Sequence, residues 1–245
     1  MSNNLIIDWG NTRVKLAVFS EGNLIQQTAV PKLTANLLKN LVPDFEKMHV
    51  LLCSVSHESD ELADFLITKT ANFIKLSHKT ALPIAISYKT PQTLGYDRIA
   101  NAVGAFKLSN GKNHCLIIDA GTCLKIDFLH AEQGYLGGSI SPGLEMRYKA
   151  LNNYTSALPL INNPEESHLI GDSTIQSINS GVLNGMRSEL TGMLAQYQKL
   201  YNNLTIFITG GDAHFFEKEL KNDIFAHVFL TLVGLNEILD FNKAT

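Results

Sequence analysis

Apolar and polar positions follow the same order twice along the chain. NLIIDWGNTRVKLAVF (residues 4–19) is an apolar run closed by an aspartate, a short polar tip and a second apolar run. CLIIDAGTCLKIDFL (115–129) repeats it: apolar run, Ile-Asp-x-Gly, threonine, lysine, apolar run. Alternation on both sides of a glycine-containing tip predicts β-hairpins. In the first block the pattern predicts strands over 3–8, 13–20 and 23–30, a short helix over 33–41, a strand over 49–55 and a helix over 57–69. Residues 73–93, broken by Pro83 and Pro91, read as extended, and a helix over 97–108 ends at the turn-rich SNGKN, the expected domain boundary.

The second block predicts strands over 115–119, 122–129 and 134–140 and a helix over 143–152, followed by a loop with Pro159 and Pro164. A long helix over 174–200 comes next. Ser173 and Gln176 fit a capping box, and Ile175, Ile178, Val182, Met186, Leu190, Met193 and Tyr197 form its apolar stripe. A strand over 204–209, a helix from 212 and an apolar helix over 230–240 complete the block. Each block opens with three strands in meander order and then alternates helix and strand. Such duplication predicts two similar α/β lobes, residues 1–112 and 113–245, each a mixed sheet with helices, with a cleft between them.

Composition narrows the partners. The 245 residues carry a formal net charge of −3 with scattered basic positions, so neither nucleic acid nor an anionic membrane surface is favoured. No apolar stretch reaches the length of a membrane span, and MSNNLIID lacks the basic and apolar regions of a secretory leader. Cys53, Cys115 and Cys123 form no CxxC and read as reduced thiols, which predicts a soluble cytoplasmic protein. The eight histidines show no HExxH or similar metal spacing.

The two tips point to chemistry. A turn of glycine, asparagine and threonine presents backbone N–H groups and a hydroxyl to an anion without Cβ crowding. An aspartate at the strand end can hold a cation, directly or through its water. Phosphate and Mg²⁺ are the ligands that suit both features. The bland alternative for each tip is a hairpin turn with a capping aspartate, and the repeat is what weighs against it. Neither GxxxxGK[ST] nor a Rossmann GxGxxG occurs. In LGYDRIANAVGA (94–105), an Asp-Arg pair opens an amphipathic helix; alone it reads as a helix-start carboxylate with a surface salt bridge.

DWGNTRVK, GYDR, IDAGT, GGSISPGL, GDSTIQSINSG and TGGDA, in this order, resemble the type III pantothenate kinases of the acetate kinase, sugar kinase, Hsp70 and actin superfamily. The resemblance covers nearly the whole chain. It implies a duplicated actin-like, ribonuclease H-like ATPase fold with ATP in the interlobe cleft. It also implies ATP-dependent phosphorylation of pantothenate to 4'-phosphopantothenate, the first step of coenzyme A biosynthesis, with Mg²⁺, a monovalent cation (K⁺ or NH₄⁺) and a homodimer.

Carried over residue by residue, the resemblance assigns Asp8, Trp9, Gly10, Asn11, Thr12, Arg13, Val14, Lys15, Thr122, Gly210 and Gly211 to ATP. Asp8 would orient Mg²⁺ through water and Asp119 would hold the monovalent cation. Asp97 becomes the candidate general base, and Tyr88, Gly95, Tyr96, Asp97, Arg98 and Thr174 the pantothenate contacts. A carboxylate within reach of the attacking hydroxyl suits proton removal, and the planar fork of arginine suits the carboxylate of pantothenate. Lys15 neutralises phosphate if it faces the site and is a solvated strand lysine if it does not. Thr174 reads alternatively as first-turn packing, Gly210-Gly211 as a plain strand-to-helix turn, and Gly143 as turn chemistry near the substrate and dimer contact. Asp127 is expected on the same strand as Asp119, at its rim. Two rivals remain open: a non-catalytic regulatory protein on the same scaffold, and a kinase of another small carboxylate- or hydroxyl-bearing metabolite. An Hsp70-like ATPase would need a substrate domain for which there is no length.

Overall fold

Residues 3–10, 12–54, 59–70, 72–162, 168–216 and 224–243 are described by a computed structural model. The first hairpin forms as the alternation predicts. β1 (Asn4–Trp9), β2 (Val14–Ser20) and β3 (Asn23–Val30) run as an antiparallel meander. β4 (His49–Ser54) lies parallel to β1 on its other side, followed by β5 (Asn72–Lys75), so the sheet order is β3-β2-β1-β4-β5. Leu5, Ile7, Leu16, Val18, Val50 and Leu52 send one face of this sheet into a core with Leu38 of α1 (Ala35–Leu41) and Leu62 and Leu66 of α2 (Asp60–Lys69). Ile6, Ala17 and Leu51, which alternate with them, are buried too, and so the central strands are covered on both faces.

The second face is met by α7 (Leu230–Lys243), which lies against β1 and β4 and packs on α3 (Tyr96–Leu108). The two helices approach backbone to backbone: a Cβ on Gly234 would stand 1.7 Å from the Ala100 carbonyl oxygen, and one on Gly104 would stand 2.5 Å from that of Leu230. Thr231 Oγ1 donates to Asn101 Oδ1 at 2.7 Å across the same seam. At the far end, buried Asn4 donates through Nδ2 to Asn236 at 2.7 Å and Asp240 at 2.9 Å, which ties α7 to the first strand. The chain therefore divides into one unit of Met1–Leu108 with Phe229–Thr245 and another of Ser109–Val228. This differs from the expected division into 1–112 and 113–245. The periodicity of α7 states that it is buried but not against what, and its glycine and its polar end match α3 and β1.

The second unit repeats the first. β6 (His114–Ala120), β7 (Cys123–His130) and β8 (Gly134–Pro142) form the meander, β9 (Leu204–Thr209) lies parallel to β6, and β10 (Ile224–Ala226) parallel to β9. Its order, β8-β7-β6-β9-β10, is that of the first sheet, and the expected duplication holds. β10 escaped the sequence pattern because three residues are too few to show alternation. The core gathers Leu116, Ile118, Leu124 and Ile126 with Tyr148 of α4 (Leu144–Asn153).

The helix expected over 174–200 is α5 (Thr174–Asn179), a π-turn (Ser180–Asn184) and α6 (Gly185–Leu200). Ser173 Oγ accepts from the Gln176 N–H at 3.3 Å, the cap half of the expected box. Ile178, Val182, Met186 and Leu190 are buried, but Ile175, the expected start of the stripe, is 53% exposed. The buried positions thus run at four-residue spacing through the π-turn, and Ile175, in the first turn of α5 ahead of it, lies outside that face. Of the helix expected from 212, one 3-10 turn, Ala213–Phe215, falls within the described residues. Among the described residues no helix is long and apolar enough to cross a membrane.

Candidate active site

In the first tip, Asp8 stands directly opposite Lys15 and Trp9 opposite Val14. Residues opposite each other on an antiparallel pair share a face. Lys15 Nζ is 4.0 Å from Asp8 Oδ2, so Lys15 is on the face of the aspartate, with 48% of its side chain exposed. Gly10 N–H donates to Arg13 O at 3.1 Å and closes the tip, leaving Thr12 and Arg13 exposed. The side chains of Trp9 and Val14 are buried in the first core, so what they offer a ligand is backbone. Asn11 lies outside the described residues.

The parallel pairing of β4 puts Cys53 beside Asp8. Burial pushes the Cys53 thiol well above its usual range, and the negative charges of Asp8 and Asp97 push it further. Asp97, distant in sequence, thus shares this end of the sheet with Asp8. A buried thiol kept protonated is a poor nucleophile, and so Cys53 is set aside as a reacting group.

Asp97 is exposed in the first turn of α3, and its Oδ1 accepts from the Arg98 N–H at 2.9 Å. A Cβ on Gly95 would stand 2.5 Å from that same oxygen, so glycine there leaves room for the carboxylate. Arg98 is buried, with its guanidinium 5.9 Å from the centre of the Tyr88 ring. Tyr88, Gly95, Asp97 and Arg98 are therefore brought together as expected. Tyr96 packs on His78, ring centres 4.7 Å apart; nothing in the sequence pattern singled out His78.

In the second unit Asp119 stands opposite Lys125, and Lys125 Nζ is 2.7 Å from Asp119 Oδ2, with both side chains 14% exposed. Lys125 was visible as the repeated lysine but not as the partner of Asp119. The backbone of this tip is gripped from two sides. Gly143 N–H donates to Thr122 O at 3.2 Å, and a Cβ on Gly143 would stand 2.0 Å from Gly121 O. Gly210, at φ +98°, would bring a Cβ within 2.2 Å of Ala120 O, which also accepts from the Asp212 N–H at 2.9 Å. Gly210 thus clears space for the tip itself, whereas Gly211 is exposed and open. Burial raises the Asp212 carboxyl, with Glu145 acting in the same direction and His214 against it.

Behind the tip, Ser141 Oγ donates to Glu189 Oε1 at 2.5 Å, and Arg147 Nε donates to Pro142 O at 2.8 Å while its guanidinium pairs with Glu189. These three side chains fix the β8 end that carries Gly143. Asp127 is not on the strand of Asp119 nor at its rim. It lies on β7 opposite Ile117, fully buried, accepting from Tyr135 Oη at 2.7 Å. The tip between the two aspartates puts them on neighbouring strands. Thr174 is exposed at the start of α5 and lines a cavity of about 680 Å³ with Leu151, Leu158, Asp172, Ser177 and Ile178.

Two cation expectations meet this geometry differently. Asp8, half-buried with a half-exposed lysine at 4.0 Å, fits a carboxylate that reaches Mg²⁺ through water. Among the described residues no cluster of three or more His, Cys, Asp or Glu side chains could bind a metal directly. Asp119 does not fit a bare monovalent ion, because an ammonium already sits on its carboxylate.

Two sheets of identical strand order with an Asp-x-Gly tip in each define a duplicated α/β fold of the actin-like class. In fold the chain is similar to a candidate Baf family transcriptional activator from Campylobacter jejuni (TM-score 0.63, 20% identity, 98% of this chain and 100% of that one). It is also similar to the Lmo2764 protein of Listeria monocytogenes, a candidate N-acetylmannosamine kinase (TM-score 0.55, 10% identity, 98% and 99% covered). The family model described as type III pantothenate kinase matches residues 4–196. A type III pantothenate kinase of Phocaeicola vulgatus is 43% identical over 239 residues, 98% of each chain. That of Cytophaga hutchinsonii is 44% identical over 239 residues, 98% of this chain and 99% of its own. The chain belongs to the type III pantothenate kinase family.

Proposed function

We propose that Asp97 is the general base of this kinase and that the two Asp-x-Gly tips serve ATP. As a member of its family the chain uses ATP with a divalent metal to phosphorylate pantothenate, a reaction of coenzyme A biosynthesis. The observation that carries the role of Asp97 is its placement: an exposed carboxylate, oriented by the Arg98 N–H and cleared by Gly95. Asp97 takes the proton of the pantothenate hydroxyl as the oxygen attacks the γ-phosphate. Arg98, backed by the Tyr88 ring, pairs with the pantothenate carboxylate, and Gly95 and Tyr96 complete that wall.

Backbone N–H groups of Thr12 and Arg13 and the Thr12 hydroxyl hold the β- and γ-phosphates, with Lys15 as a neutralising charge. Asp8 would hold Mg²⁺ through water, and the ion, bound with ATP, would neutralise phosphate charge. Thr122 and the open backbone at Gly211 serve ATP from the second unit, with Gly210 shaping the tip beside them. The resemblance also implies a monovalent cation at Asp119 and a homodimer. Exposed Ile140, Met146, Leu169, Ile170 and Ile175 support self-association of the second unit, and Thr174 in the same region is assigned to substrate. Free cysteines throughout suit a reducing, cytoplasmic compartment. The intact Asp97 arrangement favours catalysis over the regulatory alternative.

Phosphate transfer from MgATP to pantothenate tests this directly. Asp97→Asn retains the far-ultraviolet circular dichroism of the parent and loses at least about two orders of magnitude in kcat. A near-normal rate in that variant removes Asp97 from the role of base.

A further inference from the structure

We propose that the Lys125 ammonium takes the place of a dissolved monovalent cation at Asp119, so that the chain phosphorylates pantothenate without added K⁺ or NH₄⁺. The inference rests on the kinase reading above and concerns how its second tip is charged. The two tips supply an internal comparison. Each has a lysine directly opposite its aspartate on the return strand. In the first, the lysine is half exposed and 4.0 Å away. In the second, the ammonium is 2.7 Å from the carboxylate and both side chains are 14% exposed.

The connection differs by one residue. Gly10–Arg13 bridge the Trp9–Val14 pair, whereas Gly121–Cys123 bridge Ala120–Leu124. A lysine ammonium is a compact point charge of +1, equal in sign and magnitude to K⁺ or NH₄⁺. At 2.7 Å it makes a charge-assisted hydrogen bond, and enclosure protects that bond from salt. A second monovalent cation on the same carboxylate would face a like charge inside the same low-dielectric pocket. The backbone that carries Asp119 is held in place, gripped by Gly143 and Gly210, and so is the carboxylate that the ammonium meets. The charge that an ion would bring to Asp119 is thus covalently attached.

The test compares wild type and Lys125→Met at equal ionic strength in tetramethylammonium chloride, KCl and NH₄Cl. Wild-type turnover is expected to agree within about two-fold in all three, whereas Lys125→Met loses about ten-fold or more in tetramethylammonium and regains it in KCl or NH₄Cl. Melting midpoints give a readout independent of turnover: KCl raises that of the variant above its value in tetramethylammonium and leaves wild type unmoved. A wild type that needs K⁺ or NH₄⁺ by more than about ten-fold, or whose midpoint KCl raises, overturns the proposal. So does a folded variant that neither salt rescues. If the variant does not fold, the two wild-type measurements decide alone. Absence of pantothenate phosphorylation by wild type in every salt would instead count against the kinase reading, and the melting comparison would still decide the ion.

Discussion

Glycines 143 and 210 act on the second tip as a side chain could not. Each lets a backbone strand close on residues 120–122, and the space a Cβ would need at Gly143 is already filled by the Gly121 carbonyl at 2.0 Å. Gly143→Ala is therefore expected to displace the tip and to destabilise the fold by about 1–3 kcal/mol. Urea unfolding reads the second effect, and the KM for ATP reads the first, rising while the far-ultraviolet spectrum is unchanged. An unaltered KM and midpoint would show that the tip tolerates the methyl. At this scale the sequence was informative wherever residue type and neighbours define the chemistry, as for Asp97, Arg98 and the two tips. It was silent where a role depends on who lies opposite. Lys125 is a strand lysine until the register puts it against Asp119, and Arg147 and Glu189 meet across 42 residues with no local sign of it.

Secondary structure was legible wherever the apolar period ran for several residues: β1 to β4 and β6 to β9 fall close to their expected spans, whereas β5 is a four-residue strand at the start of a stretch read only as extended. Two kinds of feature were not. A π-turn leaves the composition of a helix intact, so periodicity reads one helix over 174–200 where the chain forms α5, the π-turn and α6. A helix partner is likewise invisible to periodicity, and α7 was expected in the wrong unit. The seam of α7 with α3 depends on Gly234, where a Cβ would stand 1.7 Å from the Ala100 carbonyl oxygen. Gly234→Ala gains helix propensity but must part the helices, and a net loss of about 1–3 kcal/mol is expected. Calorimetry should show the loss. A stabilised variant would mean that the seam relaxes freely.

The molecule as a whole has an acid-sensitive side. His49, His114 and His227 are all held below their ordinary pKa of 6.5, chiefly by burial, with Lys243 adding to the effect at His49 and His130 at His114. Their folded values being lower than the unfolded ones, the unfolded chain takes up protons first as the pH falls. The contribution of these groups is complete above about pH 6.5 and is lost as the pH drops through the folded values. The melting midpoint is expected to fall from pH 7.5 to 5.5, with His227→Gln reducing the drop; a flat profile would contradict the assignment. The division of the chain has a consequence during synthesis. Ser109–Val228 is one contiguous stretch, whereas the other unit needs both Met1–Leu108 and the segment that begins at Phe229. On the ribosome the later-made unit can therefore close first. The strands that emerge earliest, β1 and β4 among them, must wait with one face uncovered until α7 leaves the exit tunnel, which makes the nascent first unit the natural client of a chaperone.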